Sequence, residues 1–284
     1  MSTIEISQTQ QADFEQYLER WNEARETRER QRRDPDSYIS YSSFQKLSVE
    51  PRRFDGIPGE WRLTQAGPEV ALAAGESLEI DGQVISGIRA FGPSREREFR
   101  RVAKHGAVVL ELSRRGGQDL LRTLDPAFGA LQIARYDYTP AYEPDTKWIV
   151  EAEFIPFEEL RPTEVAATIG GIVHVHPAVG EVVFRLGGAE QRLLLLARDT
   201  AQAQQPGTAF ATFTDGTSGS TTDRHGRSIE VEHQGIRGPV TIDFNFARNI
   251  QRPYTSFAPC PLTAPCNHLD VVVEAGEQLP VFRG

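Results

Sequence analysis

Methionine is all but missing from this 284-residue chain, its single copy being the first residue, so a Met-rich, adaptable binding surface is excluded. Cysteine is nearly as scarce. The two copies, Cys260 and Cys266, are too few for a disulfide scaffold, although their closeness leaves a local bridge across a Pro-rich loop open. No apolar run approaches the length of a membrane span, and the start carries no apolar segment of signal-peptide form. A cytoplasmic location and no membrane partner are therefore expected. P-loop, dinucleotide fingerprint, GxSxG elbow, HExxH and CxxC patterns are all absent, which argues against nucleotide-dependent and serine-hydrolase chemistry and leaves no nucleotide cofactor expected. Positive charge is outnumbered, 31 Lys and Arg against 40 Asp and Glu for a net −9, and such a field repels nucleic acid. The one basic run, Arg25 to Arg33, is interleaved with Glu23, Glu26 and Glu29 at helical spacing. It reads as a solvated helix face and not as a nucleic-acid contact.

What is present is turn chemistry between short apolar runs. With 24 Gly and 18 Pro among 39% hydrophobic residues, the composition is that of an ordered protein rich in turns. Phe14, Tyr17, Leu18 and Trp21 recur at amphipathic-helix spacing, in a helix that Asp34-Pro35 stops. The period then changes. Runs at Val70–Leu72, Leu78–Ile80, Val108–Leu112, Ile149–Val150, Val182–Phe184, Leu193–Leu196 and Val271–Val273 read as strands. Asp81-Gly82 and Gly187-Gly188 are hairpin turns. A second helix is expected over Glu96–Ala103, and a short helical turn from Gly116-Gly117 to Leu121. The turn-rich segment from Pro140 to Trp148 marks a seam. These elements predict a mainly β protein of antiparallel sandwich-like or barrel-like lobes with an N-terminal amphipathic helix: residues 1–36 helical, 37–147 one lobe, 148–284 the other.

Candidate chemistry concentrates in the second lobe. In Val173-His174-Val175-His176 the alternation of a strand puts both imidazoles on one face and both valines on the other. Two neutral imidazoles so placed make half of a transition-metal site, or else a polar face turned to water. Cys266 and His268 form a second pair, able to ligate a metal or to act as nucleophile and base. The alternative for that pair is an inert thiol beside a surface imidazole. His225, in a Gly-bounded loop beside Asp223, is a further ligand candidate.

Polar residues also punctuate three stretches: "FTDGTSGSTT…GR", "DFNFARN", and "CPLTAPCNHL" followed by "VVVEAGE". These resemble the C-terminal signature of the family known as domain of unknown function 1684, and "EPRRFDGIPGEW" with "YEPDTKWIVEAEFIPF" is similar to its N-terminal half. The resemblance runs from about Trp21 to Glu277 and implies no function. It marks Asp215, Arg227, Asp243, Asn245, Asn249 and Asn267 as shared polar positions, which brace loops or, if those loops converge, line the floor of a pocket. Departures from the pattern are Cys266 in place of a glutamate, Thr222-Asp223-Arg224-His225-Gly226-Arg227 in place of TYGxGR, and Arg252 in place of a cysteine.

The functional expectation is a soluble enzyme acting on a small molecule. One divalent transition metal (Zn, Fe or Cu) would be held by His174, His176, His225, Cys266 and His268. Cys266, His268 and Asp215 are the catalytic candidates, and Arg227, Asp243, Asn245, Asn249 and Asn267 the substrate contacts. A non-catalytic small-molecule-binding or structural β module, and a metal-free Cys/His catalyst, are the alternatives.

Overall fold

The computed structural model describes residues 8–283, and side chains from Ala12 onward. The first residues of the expected helical unit lie outside that range. Helix α1 (Gln8–Arg32) is followed by β1 (Tyr41–Lys46), β2 (Arg52–Phe54), β3 (Ile57–Thr64), β4 (Gly67–Ala71), β5 (Leu78–Ile80), β6 (Gln83–Ile85) and β7 (Ile88–Ala90). Then come β8 (Phe99–His105), β9 (Val108–Arg115), β10 (Gln118–Leu124), α2 (Pro126–Arg135) and β11 (Tyr136–Tyr138). The remainder is β12 (Ile149–Ala166), β13 (Val173–Leu186), β14 (Ala189–Leu196), a short α3 (Thr200–Ala203), β15 (Gly207–Phe213), β16 (Arg227–His233), β17 (Gly238–Asp243), β18 (Arg248–Asn249) and β19 (Val281–Phe282).

The protein is mainly β. A six-stranded sheet, β1-β10-β9-β8-β5-β6, faces a four-stranded one, β2-β3-β4-β7. Trp61 and Val70 from the small sheet pack with Leu78, Leu110, Leu112 and Leu121 from the large one. Burial of these apolar side chains holds the sandwich together. A seven-stranded antiparallel sheet, β17-β12-β13-β14-β15-β16-β18, curls around the C-terminal segment, with Phe154, Val182, Phe184, Phe213 and Ile229 packed against Phe244, Leu269 and Val273. Pairing of β11 with β19 returns the chain end to the middle of the molecule.

Both hairpin signals are realised. Asp81 and Gly82 take φ +51° and +76° between β5 and β6, the doubly left-handed pair of a two-residue hairpin loop, and Gly187-Gly188 turns β13 into β14. Three expected elements differ. Residues 96–98 form a turn leading into strand β8, because Arg97 adopts φ +67°, which no α-helix permits, and the following residues pair with β9. Gly116-Gly117 is the β9–β10 hairpin turn and not a helical turn; a Cβ at Gly116 would collide with the carbonyl of Val173. Val271–Val273 stays out of the ladders. Its carbonyls instead take Gly216 N–H (2.8 Å, at Val271) and the Arg227 guanidinium (3.0 Å, at Val273).

Helix α1 buries Tyr17 and Trp21 as its spacing predicts. Tyr17 donates to the Asp243 carboxylate at 3.0 Å, and Trp21 Nε1 donates to the Asn245 carbonyl at 3.0 Å. The same face continues through Arg28 and Arg32, which pair with Glu277 at 3.2 and 2.6 Å. That part of the basic run is turned inward, not into solvent. None of the helices described is long and apolar enough to cross a membrane.

Candidate functional site

Strand β13 changes character along its length. From Ala178 onward it pairs with both β12 and β14, whereas Val173–Pro177 pairs only with the end of β12. In this extension the alternation is that read from the sequence, His174 and His176 on one face and Val173 and Val175 on the other. The polarity is inverted, however: the imidazoles are buried and the valines are 42% and 51% exposed. A strand that hides its polar residues and shows water its apolar ones needs a reason on the hidden side.

The reason is a cavity of about 530 Å³ lined by both histidines and by seven arginines. Helix α1 contributes Arg28 and Arg32, the β9–β10 pair contributes Arg115 and Arg122, and the turn before β8 contributes Arg97. Arg198 follows β14, and Arg248 begins β18. Five of these have carboxylate partners: Arg28 and Arg32 at Glu277, Arg122 at Glu111, and Arg198 and Arg248 at Glu230. Among the described residues Arg97 and Arg115 form no ion pair. Arg115 is 7% exposed and donates only to the carbonyls of Arg114 (2.6 Å) and Glu98 (3.4 Å). Burial and the neighbouring Arg122 charge pull its pKa down to about 10. An unpaired buried cation is costly, and the Glu96 charge acts on Arg97 and Arg115 without either guanidinium forming an ion pair with it.

The histidines are uncharged at neutral pH. Burial first, then the charge of Arg97, lowers the pKa of His176 to about 4, and burial likewise lowers that of His174. His174 Nε2 lies 2.7 Å from the Pro259 carbonyl, which only accepts, so Nε2 carries the proton. His176 Nδ1 lies 3.0 Å from Arg97 Nη2 and 3.2 Å from the Ala197 carbonyl, while its buried Nε2 has no partner. Arg122 Nε and Asn249 Oδ1, from the same cavity wall, are also buried and unpartnered. Arg97 also donates to the Val175 carbonyl at 2.8 Å, and its left-handed backbone is the kind of local strain that gathers at functional sites.

The expected metal ligands do not meet. His174 and His176 line the cavity with ring centroids 6.0 Å apart. His225 sits in the loop before β16, its backbone N–H on Asp223 (2.7 Å) and its Nε2 accepting from Arg224 Nε (3.1 Å). His268 is exposed and holds Thr214 Oγ1 at 3.0 Å, and Cys266 is exposed with its thiol pKa raised by partial burial. Among the described residues no group of three or more His, Cys, Asp or Glu side chains could hold a metal ion. The donor set therefore does not fit a shared transition metal, because His174 and His176 lie on β13 while His225, Cys266 and His268 lie in loops, with no three of them grouped. Both thiols are free, so no local bridge forms. Cys260, not Cys266, reaches the cavity, and burial raises its pKa to about 11.

Four of the five expected substrate contacts have their polar groups engaged inside the protein. Arg227 is 1% exposed and grips Asp215 at 2.6 Å and the carbonyls of Val273 and Ala275. Asp215 also accepts from Thr217 N and Oγ1, each at 2.6 Å. Asp243 and Asn245 tie α1 and residue 145 to the end of β17. Asn267 fills the split between β14 and β15, which pair only at Leu196 and Phe210. Its amide accepts from Leu194 N (2.7 Å) and donates to Leu194 O and Thr212 O (3.0 and 3.1 Å), replacing the missing ladder bonds. Asn249 alone of the five lines the cavity, where Nδ2 donates to Tyr254 and to Gln278 O.

Sequence reasoning found His174, His176 and Asn249 and missed the arginines. Arg28 and Arg32 continue the stripe of Tyr17 and Trp21 at helical spacing, a usable signal. Arg97, Arg115 and Arg122 carry none, since only the folding of distant strands brings them together.

The profile of the family described as a protein of unknown function (DUF1684) matches residues 134–278. The chain is similar to an uncharacterized protein of Haloarcula marismortui solved by NMR, at 26% identity over 50% of this chain and 76% of that one, with a TM-score of 0.42. No curated protein matches.

Proposed function

We propose that this chain, which belongs to the DUF1684 family, binds a small anionic organic molecule in the arginine-lined cavity. The observation that carries the reading is the pair Arg97 and Arg115, cations with no carboxylate partner, beside the buried unpartnered Nε2 of His176. A guanidinium fork suits phosphate, sulfate or carboxylate oxygens, and His176, with Nδ1 accepting from Arg97, carries its proton on Nε2 and can donate it to a ligand oxygen. Two free thiols accord with a reducing, cytoplasmic setting.

The test is thermal unfolding in orthophosphate against chloride at equal ionic strength. Phosphate raises the midpoint of the wild type by preferential binding to the folded state, and Arg115→Met abolishes the difference. An equal rise in both proteins would sink the reading.

An enzymatic version is favoured by one feature, an uncharged His176 that lines the same cavity as the arginines and keeps one ring nitrogen unpartnered. There it can exchange a proton with a bound substrate. His176→Gln would then keep phosphate binding and lose turnover of a phosphate ester followed by phosphate release. Turnover in the variant equal to wild type removes His176 from that role.

A further inference from the structure

The cavity is larger than its charged end requires. A volume of about 530 Å³ lies inside the range of sites for organic ligands, about 300–1,000 Å³, and is several times what a bare oxyanion fills. What lines the excess is informative. Phe99, the first residue of β8, borders the cavity yet remains 54% exposed, unusual for a phenyl ring in a molecule with formed cores. It is held in place by cations: Arg115 Cζ lies 3.7 Å and Arg122 Cζ 4.8 Å from its ring centroid. Across the cavity Phe210 abuts His176, centroids 5.3 Å apart, and Pro259, Pro261 and Ile250 add apolar wall.

The donors at the charged end arrive from different elements. Arg97 comes from a turn, Arg115 and Arg122 from two neighbouring strands, and His176 from a separate sheet. A carboxylate is flat and is satisfied by one fork, whereas a tetrahedral oxyanion offers acceptors in several directions. Resting on the anion reading above, we infer that the ligand is a phosphomonoester carrying a flat ring, its phosphate among Arg97, Arg115 and His176 and its ring stacked on Phe99. With the Arg115 guanidinium lying over the Phe99 ring at 3.7 Å, the ligand ring takes the part of the phenyl left uncovered and combines aromatic with cation–π attraction.

Three probes separate the parts of this inference: orthophosphate, n-butyl phosphate and phenyl phosphate, titrated calorimetrically into the full chain and into Phe99→Leu. Phe99 is more than half exposed, and leucine keeps apolar bulk, so the variant folds; because the readout is the ratio of phenyl to butyl phosphate within each protein, any shift of Arg115 that alters phosphate affinity cancels. The wild type binds phenyl phosphate about fivefold more tightly than butyl phosphate, and Phe99→Leu brings that ratio close to one. Equal affinity for the two esters in the wild type, or a preference that survives in Phe99→Leu, overturns the ring assignment while phosphate binding stands. Binding of none of the three overturns the anion reading together with it.

Discussion

Two arginines, each nearly cut off from water, show how differently the same side chain is used in this molecule. Arg227 is 1% exposed and meets a carboxylate and two carbonyls, with only Nε left over. Arg115 is 7% exposed and meets two carbonyls, a phenyl ring and no carboxylate. Arg227 is thus a brace, closed upon its own chain and pinning the segment that crosses the curled sheet. Arg115 has no such closure, and the proposed anion is what would supply it. Burial alone does not tell a structural cation from a binding one; whether its charge is balanced does.

The contrast can be broken by removing each in turn. Arg227→Met leaves Asp215 buried without its counter-charge and should cost about 3–5 kcal/mol in urea unfolding. Arg115→Met removes a cation that forms no ion pair, so its stability should be unchanged or higher by up to about 2 kcal/mol. If both variants lose stability equally, the distinction between brace and binder fails.

Asn267→Ala sharpens the structural side of the comparison. It leaves the Leu194 N–H and the carbonyls of Leu194 and Thr212 unpaired, at about 2–3 kcal/mol by the same measurement. Retained phosphate binding in this variant would separate scaffold from site.

His176 gives the cavity side a pH signature. Its folded pKa of about 4 lies below the ordinary 6.5, so the unfolded chain binds more protons between those values. The contribution to stability is complete above pH 6.5 and is lost as the pH falls toward 4, a change on the order of 3 kcal/mol. His176→Gln should flatten the stability profile in that window, and an unchanged slope would remove His176 as its source. The smallest effect belongs to the helix clasp, where Tyr17→Phe deletes the hydroxyl bonded to Asp243 and should cost about 1 kcal/mol in thermal unfolding.

Much of the fold was legible because it is local. Period-two runs, Gly-containing turns and the Tyr17–Trp21 stripe each declare themselves within a few residues. The misread helix over Glu96–Ala103 shows the limit. Its charges suit a helix, but the hairpin pairing of Phe99 and its successors with β9, reaching from His105–Val108 out to Phe99–Ser113, decided the outcome. Val271–Val273 has strand composition and is instead fastened by Arg227, from over forty positions earlier. For the candidate site, the His-x-His alternation pointed to the strand and the face that line the cavity. Its chemistry was hidden, because imidazoles two residues apart suggest a metal whichever neighbours the fold supplies. Here the neighbours are guanidinium groups from five other stretches, and nothing in the spacing of Arg97, Arg115 and Arg122 announces that they converge.

The region matched by the family, 134–278, contains Arg227, Asp215, Asn245 and Asn267, the fastenings. Arg28, Arg32, Phe99, Arg97, Arg115 and Arg122 all lie before it. The region matched by the family model therefore carries the fastenings, and the part before it brings most of the arginines and the ring that line the cavity. Chains that keep the frame and exchange the front part would be free to hold different molecules in the same place.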